Sequence, residues 1–411
     1  MLAEVLPGVI DSFAPAGVLG ALVIDTSPLQ EIEKVYGWDA YVHGMRGVVE
    51  VARGAAFEAL GDGATVAAGE VGRSEVFAFV TREGEGASAL LMRDMPALAR
   101  MVTQRLERQG AKILYPYRRS VPHFSLGFAI VMRNPRIGAL TQVRKVLEEA
   151  RADAQLNNGV YQRDRRRGFM NVVLSNKVCS VYEPIVDAKT LTVFGYEALA
   201  RGPEHTEFAG AASLFGVAGE HDLLYELDCA CRTAALEGAI DFPQGAKLFM
   251  NIRPTAIHDP RFQPDVLVRT LERCKLSPRD VVFEISEQES IENYQIFREA
   301  RDAYGQLGFQ FALDDTGAGY ASLEAVMELS PEFIKVDRSF VRGLDEDEGR
   351  QAMLRAFQEV ADSVNARIIG EGLDRLEELQ TLAELGISFG QGWVFGKPTP
   401  LRANPGRTTF E

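Results

Sequence analysis

The sequence predicts an α/β protein in which a (β/α) barrel follows a domain of mixed strands and helices. Three observations carry this. Six short apolar runs in the second half each end in a polar, mostly acidic residue. They are LFMN at Asn251, VVFE at Glu284, FALDD at Asp314 and Asp315, FIKVD at Lys335 and Asp337, RIIGE at Glu371 and ISFGQ at Gln391; an earlier run, VFGYE, ends at Glu197. Amphipathic stripes separate the runs, such as Phe297, Ala300, Tyr304 and Leu307, or Met353, Phe357, Val360 and Val364. Such alternation builds a parallel barrel or a doubly wound sheet, and both gather function at the carboxyl ends of their strands. Its extent, about 230 residues, fits a single barrel.

Taken in order, residues 1–16 read as a short leader with Pro and Gly turn signals. Across residues 17–153, GVLGALVID, EVFAFVTRE and FSLGFAIVM read as strands. ALLMRDMPALARMVTQRLERQ and IGALTQVRKVLEEARADAQ read as amphipathic helices, giving an α+β layered domain. Residues 154–170, with the turn-rich NNG and the basic Arg163 and Arg165–Arg167, read as a linker. The barrel is expected over 171–400, opened by a hairpin in which VCSVYEPIVD and TLTVFGYEAL flank Asp187-Ala188-Lys189, and 401–411 is expected to be a tail.

The 411 residues suffice for two or three domains with full cores, and the net charge of −14 argues against a general nucleic-acid or anionic-membrane binder. A small anionic ligand held by metal and a few local cations stays compatible with that charge. Cys179, Cys229, Cys231 and Cys274 lack zinc-ribbon spacing and read as free thiols in a reducing compartment. The opening MLAEVLPGVIDSF has no basic n-region, and no apolar run approaches the ~20 residues of a membrane helix, so a soluble cytoplasmic protein is expected.

Asp314-Asp315 is the most informative pair. Successive strand side chains point to opposite faces, so both reach one site only where the strand ends and the backbone turns. Gly317 and Gly319 supply that freedom, and an N-cap role is the alternative. With Glu197, Asn251 and Glu284 also at strand ends, the pattern points to divalent cations held by oxygen ligands. Lys335 and Asp337 share strand parity; a lysine among acids is either a counter-ion or also a holder of water or phosphate oxygen. Glu371, between glycines that admit a ligand closely, is the candidate general base or water-orienting group, against a plain rim glutamate. Arg201, four residues after Glu197, suits phosphate or a guanine edge, against an ordinary salt bridge.

With these residues in hand, 171–400 closely resembles the EAL-domain family of cyclic di-GMP phosphodiesterases. Its motifs stand in order: YEPIV, Glu197-Ala198-Leu199-Ala200-Arg201, LFMNI, FEISE, ALDDTGAGYASL, IKVD, GEGLD and GQGWVFGKP. The resemblance implies a TIM-like barrel whose first strand is antiparallel. It implies Mg²⁺ or Mn²⁺ in a two-metal site held by Glu197, Asn251, Glu284, Asp314 and Asp315. Lys335 and Glu371 would position and activate the attacking water. Leu199, Arg201, Asp337 and Gln391 would contact the dinucleotide, and Glu287 would anchor a loop coupled to a homodimer interface. The implied reaction hydrolyses cyclic di-GMP to linear pGpG.

Three departures bear on rate. Glu183 replaces the usual glutamine of the YQP motif beside the substrate, Thr316 replaces an aromatic, and Asp374 is one methylene shorter than the usual second acid of its motif. They motivate two alternatives: a receptor that binds cyclic di-GMP without turnover, or a signalling scaffold. The first domain weakly resembles a diguanylate cyclase (GGDEF) domain. It retains Asp25, but Gly72-Arg73-Ser74-Glu75-Val76 stands where the signature belongs and Glu33 where the guanine-binding Asn belongs. An inactive, regulatory domain is expected, with GTP binding through Arg73 left open and cyclase activity not expected.

Overall fold

The computed structural model describes residues 1–70, 73–118, 121–253, 256, 259–286, 294–316 and 322–401. The chain divides into two compact units, Met1–Arg165 and Arg166–Glu411.

In the first unit, β1 (Val18–Asp25), β2 (Ala64–Ala68), β3 (Glu75–Arg82) and β4 (Ser125–Met132) form an antiparallel sheet in the order β2-β3-β1-β4. Its central strands are apolar except at their ends, so strand alternation divides them between two cores. Val18, Leu22, Ile24, Val76, Ala78 and Val80 face the helices Trp38–Leu60 and Met95–Leu114. Leu19, Ala21, Val23, Phe77 and Phe79 face the opposite layer. That layer includes residues 1–16. The expected leader is a helix, Leu2–Ala16, whose Leu2, Val9 and Phe13 lie on one stripe and are buried against the sheet. Packing of that stripe outweighs the two prolines inside the helix.

The expected linker also differs. One helix runs Ala139–Leu174, so residues 154–170 are helical and carry no turn. The asparagine that signals a turn has another use: Asn157 Nδ2 donates to Leu126 O at 2.8 Å, and Asp153 Oδ2 accepts from Phe128 N at 2.9 Å. Both bonds satisfy the outer edge of β4, which would otherwise be open for strand pairing.

The second unit is a closed eight-stranded barrel in the order β10-β11-β12-β5-β6-β7-β8-β9. Its strands are β5 (Cys179–Asp187), β6 (Val193–Arg201), β7 (Lys247–Asn251), β8 (Val281–Ser286), β9 (Gln310–Thr316), β10 (Phe333–Val336), β11 (Arg367–Gly370) and β12 (Phe389–Gln391). β5 is antiparallel to both neighbours, β6 and β12, and every other pairing is parallel. The expected hairpin is closed by Asp187 Oδ1, which accepts from Lys189 N and Thr190 N at 3.0 and 2.8 Å. Two expected stripes are adjusted. Phe297, Ala300 and Tyr304 are buried, but Leu307 lies past the helix end and is 40% exposed. Met353 points outward at 48% exposure, and Leu354 and Ala361 take the core side of the helix Glu348–Ser363.

Inside the barrel an apolar layer of Ile185, Phe249, Val282, Ala312, Phe333, Ile369 and Phe389 packs together with Phe194. Beneath it, Arg367 lies over the Phe333, Phe194 and Phe389 rings at 4.4, 5.2 and 5.3 Å. Two residues further along six of these strands stand Asn251, Glu284, Asp314, Lys335, Glu371 and Gln391. The period of two therefore places a polar layer directly above the apolar one.

The seating of the long helix on β4 is testable. A Cβ at Gly127 would fall 2.1 Å from Ala154 N and 2.3 Å from Ala150 O, backbone atoms that cannot swing aside. Gly127→Ala should lower stability by about 3 kcal/mol. Gly159→Ala, in the same helix with nothing within 4 Å, should raise it by about 0.5–1 kcal/mol. Urea denaturation of the full chain distinguishes the pair; equal effects would contradict the packing described.

Candidate active site

The polar layer converges on one lysine. Lys335 has 1% of its side chain exposed, and its Nζ lies 2.7 Å from Glu371 Oε1, 2.8 Å from Glu284 Oε1, 3.1 Å from Glu197 Oε2 and 3.2 Å from Asp314 Oδ1. Burial alone would strip its proton, but the carboxylates, Asp314 foremost, outweigh that and hold its pKa well above the ordinary value. Around this ammonium the acids separate. Burial raises Glu284 and Glu371 well above the carboxylate range, with neighbouring carboxylates adding to the push. Burial likewise raises Asp314. Glu197 resists burial and is lowered, because Lys335, Gln391 and Asn251 all stabilise its charge.

Two amides brace this cluster. Asn251 Nδ2 donates to Glu197 Oε1 at 3.1 Å and to Glu284 Oε2 at 3.2 Å. Gln391 Nε2 donates to Glu197 Oε2 at 2.6 Å and to Glu183 Oε2 at 3.0 Å. Gln391 is therefore buried against two acids at the barrel axis. Glu183, half-buried across the β5–β6 ladder from Glu197, is raised by burial and by that neighbour.

The Asp314-Asp315 pair is explained by the backbone. Opposite Ile334–Val336, β9 carries one extra residue between Leu313 and Thr316, a bulge, and Asp315 adopts φ 57°. This left-handed residue breaks the strand alternation, so oxygens of Asp314, Asp315 and Glu371 all lie within 4.8 Å of one another. Gly317, Gly319 and the expected loop anchor Glu287 lie outside the described residues.

The donor set suits a hard divalent cation. It is all oxygen and strongly acidic, and Glu284 Oε1 and Asp314 Oδ1 are buried with Lys335 Nζ, at 2.8 and 3.2 Å, as the cation they share. Glu197, Asn251, Glu284, Asp314 and Asp315 are the residues that would hold such ions.

The other expected residues have the following surroundings. The glycines around Glu371 serve packing: a Cβ at Gly370 would strike Leu382 at 2.5 Å, and one at Gly372 would meet Arg338 at 2.4 Å. The carboxylate of Asp337 caps the short helix Arg338–Val341 by accepting from Ser339 N at 2.9 Å. Arg201 donates to Ala200 O and makes no salt bridge among the described residues. Leu199 lines a cavity of about 300 Å³ that opens beside Asn251, together with Asp228, Arg253 and Ser286. Asp374 is exposed.

Two features escaped sequence reading. Buried Glu378 accepts from Gly343 N, Asp374 N and Arg375 N, clamping the turn after Glu371. Arg232, buried in the helix Leu224–Gly238, pairs with Asp228 and with Asp259 Oδ2 and lies 4.5 Å over the Phe262 ring. The helical i, i+4 spacing of Asp228 and Arg232 was the available signal.

The raised acids fix a pH dependence. A carboxyl whose folded pKa exceeds its unfolded value contributes stability that is complete below the ordinary carboxylate range and lost as pH rises through the folded value. Glu284 and Glu371 act in this sense, and Glu197 in the opposite one at low pH. Metal-free protein should therefore lose stability as pH rises above that range, by at most about 1.4 kcal/mol per pH unit per group. Glu284→Gln should flatten the slope. Thermal melts across pH in chelator read both effects, and a parent protein that grows more stable with pH would contradict the assignment.

The EAL domain family matches residues 166–398, more than half of the chain. Over 326 residues the chain is 26% identical to an uncharacterized signaling protein of Caulobacter vibrioides, covering 75% of this chain and 40% of that one. It is 28% identical over 192 residues to the cyclic di-GMP phosphodiesterase PdeA of Borreliella burgdorferi (46% of this chain, 28% of the relative). It is 27% identical over 248 residues to the probable cyclic di-GMP phosphodiesterase PdeN of Escherichia coli (57% and 46%). The chain thus spans less than half the length of each. Among solved structures, the FimX EAL domain of Pseudomonas aeruginosa bound to c-di-GMP aligns with TM-score 0.50 at 22% identity, covering 56% of this chain and 94% of that one. The EAL enzyme Bd1971 aligns with TM-score 0.53 at 21% identity, covering 69% and 80%. Both share the fold. Among the described residues no helix is long and apolar enough to cross a membrane. With its matched segment, its closed barrel and its acidic mouth, the chain belongs to the EAL domain family.

Proposed function

We propose that this chain hydrolyses one phosphodiester bond of cyclic di-GMP to give linear pGpG, using Mg²⁺ or Mn²⁺ at the barrel mouth. The observation that carries this reading is Lys335 within 3.2 Å of four carboxylates carried on or just past four separate strands, beside the Asp314-Asp315 bulge. When bound, the cations supply Lewis-acid charge at the scissile phosphate.

The protein's own groups divide the remaining work. Glu371, held 2.7 Å from Lys335 Nζ among the acids of the barrel mouth, is placed to take the proton of the attacking water. The water oxygen bonds to phosphorus, the bond from phosphorus to the 3′ oxygen breaks, and that oxygen leaves as a hydroxyl once protonated. Lys335 orients Glu371 from 2.7 Å and limits repulsion among the acids. The 300 Å³ cavity beside Asn251, with Leu199 and Arg253 in its wall, is where we place part of the dinucleotide.

The first unit fits an inactive regulatory role. Ser74, where a cyclase needs an acid, is engaged by Tyr41 and Gln30, and Glu75 is held bidentately by Arg151 at 2.7 and 2.9 Å. A receptor without turnover is the second reading, favoured by the extra carboxylate of Glu183 beside Glu197.

Incubating the full chain with cyclic di-GMP and Mg²⁺ or Mn²⁺ separates these readings. Linear product supports hydrolysis; tight calorimetric binding without product supports the receptor and overturns the enzyme. Glu371→Ala should lower kcat by about 10²–10⁴ while cyclic di-GMP binding persists. Glu183→Gln removes negative charge near an anionic substrate and should raise kcat/KM by about fivefold. Unchanged kinetics in either variant would refute its assigned part.

A further inference from the structure

We propose that the first unit binds a small planar aromatic anion in a groove between the helix Trp38–Leu60 and the hairpin β2–β3. The groove has a volume of about 480 Å³, a size typical of small-ligand sites. Its wall is mainly apolar, with Tyr41, Met45 and Ala67 buried and Val42 and Val66 partly so. At its edge Trp38 is 51% exposed and stacks on Tyr41, with ring centroids 5.2 Å apart and planes at 29°. That pair forms a flat shelf on which a second aromatic ring can lie.

Charge selects the sign of the ligand. Arg46, Arg53 and Arg73 line the same groove, are exposed, and form no ion pair among the described residues. Glu50 and Glu70 also line it, and neither closes a salt bridge with them. Elsewhere in this unit Arg105, Arg118 and Arg151 each hold a carboxylate. In a chain with 58 acidic residues against 44 basic ones, three guanidinium groups without a carboxylate around one apolar groove provide forks for an external anion. The groove also assigns a use to Arg73, which stands where the cyclase signature would require glycine.

The wall disfavours a nucleotide. A guanine edge buried there needs directed polar partners in the floor, but the Tyr41 hydroxyl is engaged with Ser74, which also accepts from Gln30, the buried neighbours are Met and Ala, and the acids Glu50 and Glu70 are exposed.

Calorimetry on the full chain tests this with 2-naphthoate, its neutral isostere 2-naphthamide, decanoate, and GTP with Mg²⁺. Naphthoate should bind about tenfold more tightly than naphthamide, the difference of one charge-assisted contact. Trp38→Ala should weaken both by about fivefold. Arg46→Glu combined with Arg53→Glu and Arg73→Glu should weaken only naphthoate, at least tenfold. Should that reversal unfold the unit, glutamine at the three positions reads the same loss. No naphthoate binding at millimolar concentration, equal affinity for acid and amide, tighter binding of decanoate, or binding of GTP in place of naphthoate would each overturn the proposal.

Discussion

A primary ammonium with 1% of its side chain exposed, surrounded by four carboxylates, is the constraint around which the second half of the chain is arranged. Withdrawing one such ion from water costs several kcal/mol, whereas one partner near 4 Å returns about 4 kcal/mol at an effective dielectric of ~20. A single carboxylate would leave the matter balanced; several settle it in favour of charged Lys335. The converse does not hold for the acids. One positive charge cannot neutralise Glu197, Glu284, Asp314 and Glu371 together, and two of them are driven far toward protonation. As a receptacle for the proposed cations, the cluster would be completed by further positive charge in place of the protons its acids otherwise retain.

Strand geometry creates this receptacle. Phe249 and Asn251, Val282 and Glu284, Ala312 and Asp314, Phe333 and Lys335, Ile369 and Glu371, and Phe389 and Gln391 are each two residues apart. One residue of each pair packs in the apolar layer and the other in the polar layer above. A packed apolar layer thus sets the height of these functional groups. Asp315 is the exception, since its left-handed backbone brings a second acid to the same face at some cost in strain.

Much of this was legible in the sequence because it rests on period two. The runs ending at Asn251, Glu284, Asp314 and Lys335 became strands, and their terminal residues met. Less legible were contacts that obey no period. The prolines of residues 1–16 suggested a leader, yet Val9 and Phe13 found a sheet face to cover. The Asn157-Asn158-Gly159 stretch resembled a turn, yet Asn157 and Asp153 serve the β4 edge from within a helix. Asp337 shared parity with Lys335, but the strand ends at Val336 and its side chain turns to cap the next helix. Glu378 and Arg232 depend on partners brought near by the fold, which local spacing does not announce.

Arg367 and its three aromatic neighbours close the lower end of the barrel. Among the described residues, the approach to Lys335 therefore lies at the opposite end of the barrel. In the proposed hydrolysis, reactant, product and released proton would share that end in turn, so whatever obstructs its rim would govern the entire cycle without touching a reacting atom.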